Sequence, residues 1–384
     1  MKRHRVAVIG CGALAQGQHL PNAQKNPRID LVCTCDISRK TADYCRTTFG
    51  ARRAETDWRK VVKADDVDVI IVATQHSLRG PIIIPALENG KPVYTEKPLA
   101  PDRAEISNIV ETSRRTGVPV CVGHNRRSSP AMIEFRRLVE KAYRTKNPLP
   151  ASVDRSHERK IIVEEKATQM LFRINDDIRS WKGWIFGDAE GILFAEMVHF
   201  MDLALWLNRS VPVRVFAEGS VRGNFTILLR FADGSLTTIQ HSLVGNFNYP
   251  KELFEVSANN ITIALDQHFE IRQMGLTDEP LLQTFPYAKE SAWAKQRGMT
   301  GYFREMEQEV ARAAKKKEPF RMPGVNKGHY EHFDRFLTHL EGKGENPCDV
   351  EGAAAVNFIT LKLLDSVRSG MPVVIGPEDW DIPR

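Results

Sequence analysis

"VIGCGALAQGQHLP", residues 8–21, follows a short apolar run and carries Gly10, Gly12 and Ala15 in the order G-x-G-x-x-A. The run "HRVAVIG" reads as a buried strand and the residues past Gly12 as a helix, so the glycines fall at a strand-to-helix turn. In that context Gly10 makes the tight turn, Gly12 lets the backbone approach a pyrophosphate, and the small Ala15 allows close helix–strand packing. The amides and dipole of the helix start favour phosphate. The next strand, "IDLVCTCD", ends on Asp36, at the spacing expected of a carboxylate that bonds ribose hydroxyls. Such a carboxylate repels a 2′-phosphate, so NAD is the expected cofactor and NADP the less favoured one. Arg39 and Lys40 lie near enough to blur that preference.

Beyond this stretch, strand and helix signals alternate. "VDVIIVAT" is the near-continuous apolar run that a parallel strand buried on both faces requires. "PIIIPALENG" reads as a helix, "PVYTEKP" as a strand, "AEISNIVETSRRTG" as a helix and "VPVCVGHN" as another strand. This rhythm predicts an α/β, doubly wound parallel sheet with helices on both faces over residues 1–124. Past His124-Asn125 strands follow one another directly, and Asp233-Gly234 between two alternating runs signals a hairpin. Residues 125–384 are therefore expected to form a second domain around an antiparallel sheet, with helices near 131–143, 192–208, 299–316, 328–341 and 351–369.

The 384 residues are 42% hydrophobic and 27% charged, with a net charge of +6 spread along the chain. That balance suits a globular protein with real cores. No basic arm, zinc-finger spacing or aromatic-interleaved basic stripe appears, so no nucleic-acid partner is expected. The six cysteines lie mostly in strand-like stretches and form neither a disulfide framework nor a ligand set, which makes them small buried thiols. Neither a signal peptide nor a membrane-spanning run is seen, and a cytoplasmic location is expected.

Two stretches carry candidate chemistry. Glu96-Lys97 in "YTEKPLA" ends a strand at the edge where ligands of such sheets bind. A lysine there can exchange a proton with, or polarise, a reacting hydroxyl, and the adjacent carboxylate can hold it. An exposed charge pair before a proline turn is the other reading. "EGILFAEMVHFMDLALWL", residues 190–207, is apolar on most of its surface but carries Glu196, His199 and Asp202 at steps of three. Buried ionisable groups need partners or a cleft. A satisfied core histidine is the plainer alternative. The single E-x-x-H has no second copy, so no metal is expected.

Together these pieces resemble the glucose–fructose oxidoreductase / inositol dehydrogenase / rhizopine-catabolism (Gfo/Idh/MocA) family over nearly the whole chain. The resemblance rests on "GCGALA", "VIIVAT" leading into "QHSLRGP", the strand-end "EKP", "VGHNRRSSP", "EMVHFMD" and the closing "AAAVNFITLKLLDSVRSGMPVVI". It implies a Rossmann domain joined to an α/β domain with an open, mostly antiparallel sheet through which copies form a homodimer or homotetramer. It implies NAD(H)-dependent hydride transfer to or from a secondary alcohol of a sugar, sugar derivative or cyclitol. Lys97 matches the family's catalytic lysine and His199 its usual active-site histidine, with Glu196 in support. The cofactor set expected is Gly10, Gly12, Ala13, Leu14, Asp36, Arg39, Thr74, Glu96, Lys97 and Asn125, and the substrate set is Lys97, Arg126, His199 and Asp202. Many relatives have aspartate where Ala195 stands here, and Arg79 stands where they often have histidine. A redox-neutral NAD-dependent glycosidase and a non-enzymatic NAD- and sugar-binding regulator are the alternatives such a resemblance allows.

Overall fold

The computed structural model describes residues 3–146, 167–180, 191–220, 223–246, 248–287, 298–318 and 324–380. The chain divides into two compact units, Met1–Ser128 with Gly328–Thr360 and Pro377–Arg384, and Ser129–Lys327 with Leu361–Gly376.

The first unit opens with β1 (His4–Ile9), a turn of π-helix (Ala15–His19) running into α1 (Leu20–Lys25), and β2 (Ile29–Cys35). Then come α2 (Arg39–Phe49), β3 (Arg53–Glu55), α3 (Trp58–Val62), β4 (Val69–Val72), α4 (Arg79–Glu88), β5 (Val93–Thr95), α5 (Arg103–Thr116) and β6 (Val120–Val122). The six strands pair in parallel in the order β3-β2-β1-β4-β5-β6. This is the doubly wound sheet expected, and every residue of β4, "VIIV", is buried, as a strand covered on both faces must be. Local chemistry sets the helix ends. Ser38 accepts the Thr41 N–H and Asp102 the Glu105 N–H at their N-termini, while Gly50 and Gly117 close α2 and α5 in the left-handed region.

The second unit contains α6 (Pro130–Arg144), β7 (Gln169–Asn175), a π-turn (Leu193–Met197) leading into α7 (Val198–Leu207), and the strands β8 (Pro212–Gly219), β9 (Phe225–Phe231), β10 (Leu236–Ser242), β11 (Glu252–Ala258), β12 (Ile261–Asp266), β13 (Glu270–Met274) and β14 (Leu282–Thr284). Next is α8 (Gly298–Lys316). The nine-stranded order is β14-β13-β12-β11-β7-β10-β9-β8-β15, the last being Val373–Val374. All pairs are antiparallel except β7 with β10. The Asp233-Gly234 hairpin forms as expected, with Gly234 at φ +90 and the Asp233 side chain accepting the Ser235 N–H. The central strand β7 was not expected. Its alternating burial is clear only with β10 and β11 on either side of it.

The remaining helices are α9 (His329–Leu340) and α10 (Val350–Ser369). The expected cut at His124–Asn125 differs from the observed division. The opening segment of the first unit runs to Ser128, and α9 returns to that unit. Its apolar face explains the return, because Phe333, Phe336 and Leu337 join the core of Val6, Val8, Ile29, Leu31 and Tyr94. Arg28 adds ion pairs to Asp334 and Glu341. All six cysteines are buried thiols, and among the described residues no helix is long and apolar enough to cross a membrane.

Candidate functional site

In the first unit the strand order reverses between β1 and β4, and ligands of such sheets bind at the carboxyl ends of the strands there. Gly10 leaves β1 at φ +90, and a Cβ on it would stand 2.8 Å from the backbone of Ala73. Only glycine fits so close a crossing. Gly12 differs: nothing lies within 4 Å of where its Cβ would stand. Gly12, Ala13 and Leu14 are all exposed, so the backbone at the helix start faces open space.

Asp36 follows β2 and is turned toward that loop. One carboxylate oxygen accepts the Cys11 N–H at 2.9 Å and the other accepts the Ser38 N–H at 2.9 Å. Arg39 points elsewhere, its Nε donating to Asp43 at 2.8 Å within α2, so its charge is balanced there. Beyond β4, the buried Thr74 hydroxyl has no partner among the described residues. Such an orphan suits a site completed by a ligand. The glycine turn, the carboxylate at the end of β2 and this hydroxyl fit a dinucleotide.

Glu96 and Lys97 follow β5. Glu96 is buried, and His19 at the end of the first π-turn lies with Nε2 2.8 Å from its Oε1. The other carboxylate oxygen accepts the Lys97 N–H at 3.3 Å. Burial pushes the Glu96 carboxyl up, but the His19 hydrogen bond and the charges of His19, Lys97 and Arg79 outweigh it and bring it down to about 2. The exposed-pair reading therefore does not hold for Glu96, while Lys97 is half-buried. Asn125 and Arg126 lie in the short turn after β6. Both are buried, with the Asn125 amide 3.5 Å from His329 Nδ1.

In the second unit the helix expected over 192–208 is not uniform. Its first turn, Leu193–Met197, is π-helical, and Glu196 lies in it. A π-turn spreads more residues over each turn, so the three-residue steps do not place Glu196, His199 and Asp202 on one simple α-helical arc. All three are buried. Lys251, just before β11, donates to Glu196 Oε1 at 2.6 Å and pairs with Asp176 Oδ1 at 2.8 Å. Asp176 is fully buried, and His241 Nε2 meets its other oxygen at 3.0 Å.

The structure thus brings Gly10, Gly12, Ala13, Leu14, Asp36, Thr74, Glu96, Lys97, Asn125 and Arg126 to the strand ends of one sheet, and places Glu196, His199 and Asp202 on the helical segment of the other unit. The sequence reading overlooked His19, Lys251, Asp176 and His241 as partners. His19 stands inside the opening stretch, yet no local pattern joins it to Glu96. Asp176 and Lys251 meet only because β7 lies beside β11.

Residues 4–124 match the family model of the Gfo/Idh/MocA proteins, described as an oxidoreductase family with an NAD-binding Rossmann fold. The chain is 26% identical over 260 residues to inositol 2-dehydrogenase of Corynebacterium glutamicum (strain R), covering 65% of this chain and 69% of that protein. It is 33% identical over 137 residues to the NAD⁺-dependent scyllo-inositol 2-dehydrogenase of Bacillus subtilis (strain 168), covering 35% of this chain and 40% of that protein. Among solved structures, an oxidoreductase from Agrobacterium radiobacter in complex with NAD⁺, L-tartaric acid and magnesium superposes with a TM-score of 0.76 at 16% identity. That match covers 98% of this chain and all of that one, a likeness of fold.

Proposed function

We propose, from the premise that this chain belongs through residues 4–124 to the Gfo/Idh/MocA oxidoreductases and is an NAD-dependent enzyme, that it oxidises a secondary alcohol of a cyclitol or sugar, or reduces the matching ketone. What supports this reading is the array at the strand ends of the first unit: an open glycine turn, Asp36 aimed at it, and Lys97 on the neighbouring loop. The relatives named inositol 2-dehydrogenases point to the substrate class.

Gly12, Ala13 and Leu14 would hold the pyrophosphate, Asp36 the adenosine ribose, and Thr74 and Asn125 the nicotinamide half. Asp36, with Arg39 paired to Asp43 instead of facing the loop, favours NAD over NADP. The nicotinamide, when bound, supplies the hydride acceptor at C4. Lys97 is assigned to donate a hydrogen bond to the substrate oxygen, polarising it. His199 is assigned to take the hydroxyl proton as the carbinol carbon gives up its hydride, so the products are a ketone, NADH and a protonated imidazole. Arg126 and Asp202 are assigned to substrate hydroxyls. Glu196 is held by Lys251, and its role is to support the helix that bears His199. On the same reading the chain is a cytoplasmic homodimer or homotetramer joined through its open sheet.

The test follows nicotinamide absorbance at alkaline pH, with purified protein, excess NAD⁺ and a panel of inositols, sugars, sugar acids and glycosides. Growth of absorbance with a cyclitol or sugar is the expected result. A flat trace together with release of sugar from a glycoside would overturn it in favour of redox-neutral cleavage, and a flat trace without release would leave a binding protein.

A further inference from the structure

The roles proposed above leave Arg79 unused. It opens α4 but is only 6% exposed, because its side chain turns inward from the helix. Its Nη2 and Nε donate to the Thr74 carbonyl at 3.0 and 3.3 Å, and its Nη1 donates to the Pro98 carbonyl. A buried guanidinium is costly unless its donors are met, and here two backbone carbonyls from two segments accept from all three of its nitrogens. Burial draws its pKa down to about 10 while the charge of Glu96 draws it back, so it stays a cation.

The two carbonyls belong to the segments that matter for the cofactor end of this unit. Thr74 follows β4 and carries the orphan hydroxyl, and the Ala73–Thr74 backbone is the surface against which Gly10 turns. Pro98 directly follows Lys97. We infer that Arg79 is a positioning residue: its planar fork holds the Thr74 and Lys97–Pro98 segments at one spacing, and that spacing sets how tightly NAD(H) binds and how Lys97 is presented. The cofactor half rests on the NAD assignment and the lysine half on the role proposed for Lys97. Lysine cannot replace this fork, because a single ammonium on a shorter reach cannot serve two carbonyls in one plane.

The experiment titrates NADH into the full chain, followed by nicotinamide fluorescence, for wild type, Arg79→Lys, Arg79→Gln and Arg79→Ala, with a thermal melt of each. Arg79→Lys is expected to fold and to bind NADH about tenfold or more weakly, the worth of one charge-assisted hydrogen bond. Guanidinium at millimolar concentration is expected to restore binding in Arg79→Ala, and ammonium at equal ionic strength to restore none. If Arg79→Lys does not fold, Arg79→Gln supplies the same comparison. Wild-type NADH affinity in a folded variant would overturn the inference, as would equal rescue by both cations. Failure of wild type to bind NADH would instead remove the cofactor assignment itself. With the panel substrate, kcat is expected to fall in Arg79→Lys even at saturating NAD⁺, and an unchanged kcat would remove the Lys97 half of the inference.

Discussion

His19 and Glu96, separated by 77 positions in sequence, form a buried pair with Nε2 2.8 Å from Oε1. The pair ties the π-turn after the glycine loop to the end of β5, where Lys97 begins its own loop. Removing one partner from a buried pair strands the other, a loss of about 3–5 kcal/mol. His19→Leu is therefore expected to lower unfolding stability by that order in urea titrations at neutral pH, and Glu96→Gln added to it should recover part of the loss. An unchanged midpoint for His19→Leu would count against the pair.

The same carboxyl predicts an acid response. Its folded value lies near 2, below the ordinary 4.5. Between those values the unfolded chain takes up a proton here and the folded chain does not, so stability is present above about 4.5 and is lost as pH falls toward 2. The loss is on the order of 3 kcal/mol, and Glu96→Gln should flatten the stability–pH curve across that window. Denaturant midpoints measured at several acidic pH values check it, and identical slopes for the two proteins would contradict it.

The two glycines of the opening stretch should separate by phenotype. Gly10→Ala forces a side chain into the left-handed region and against the Ala73 backbone, so both stability and NADH binding should drop. Gly12→Ala meets open space, so stability should stay within about 0.5–1 kcal/mol of wild type. Its NADH affinity should nevertheless fall, because the methyl occupies room assigned to the pyrophosphate. Melting curves and NADH titrations of both variants make the comparison, and full NADH affinity in Gly12→Ala would argue against the assigned pyrophosphate position.

Lys251 bridges two buried carboxylates, Asp176 and Glu196. Lys251→Met should cost about 3–5 kcal/mol by removing the ammonium that the two carboxylates share. Pairing it with Glu196→Gln should be less harmful than the sum of the two single changes, a coupling that a double-mutant cycle measures directly. Strict additivity would mean that the ammonium does not act through Glu196.

From the proposed roles, His199→Ala and Lys97→Met should each lower kcat by about a hundredfold to ten-thousandfold on the panel substrate. His199→Ala should keep its NADH affinity, since none of the cofactor contacts assigned here involves it. Steady-state kinetics and an NADH titration on each variant give the answer, and full turnover in either would end that residue's assignment.

Much of the first unit could be read from the sequence because its signals are local. A strand buried on both faces must be apolar throughout, as "VIIV" is, and a βα turn this tight needs the glycine found at position 10. Asp36 was identifiable because one strand's length fixes its distance from the glycines. The Asp233-Gly234 hairpin was equally plain, since its turn is made by adjacent residues. Strand β7 was missed because its partners β10 and β11 are distant in sequence, and its half-exposed pattern has meaning only beside them. The return of α9 was missed for a related reason. An amphipathic helix shows that it will cover something, but not which core it covers.

By itself the sequence determined the strand–helix rhythm, the glycine turn and the carboxylate after β2. Those features depend on backbone sterics and on spacings within one supersecondary unit. Only the tertiary structure decided that Glu96 is held low and gripped by His19, that Glu196 is bound to Lys251, that Arg39 turns away to Asp43, and that Arg79 joins the Thr74 and Pro98 carbonyls. The state of a buried charge depends on its neighbours within a few ångströms, and in this chain those neighbours come largely from residues far apart in sequence.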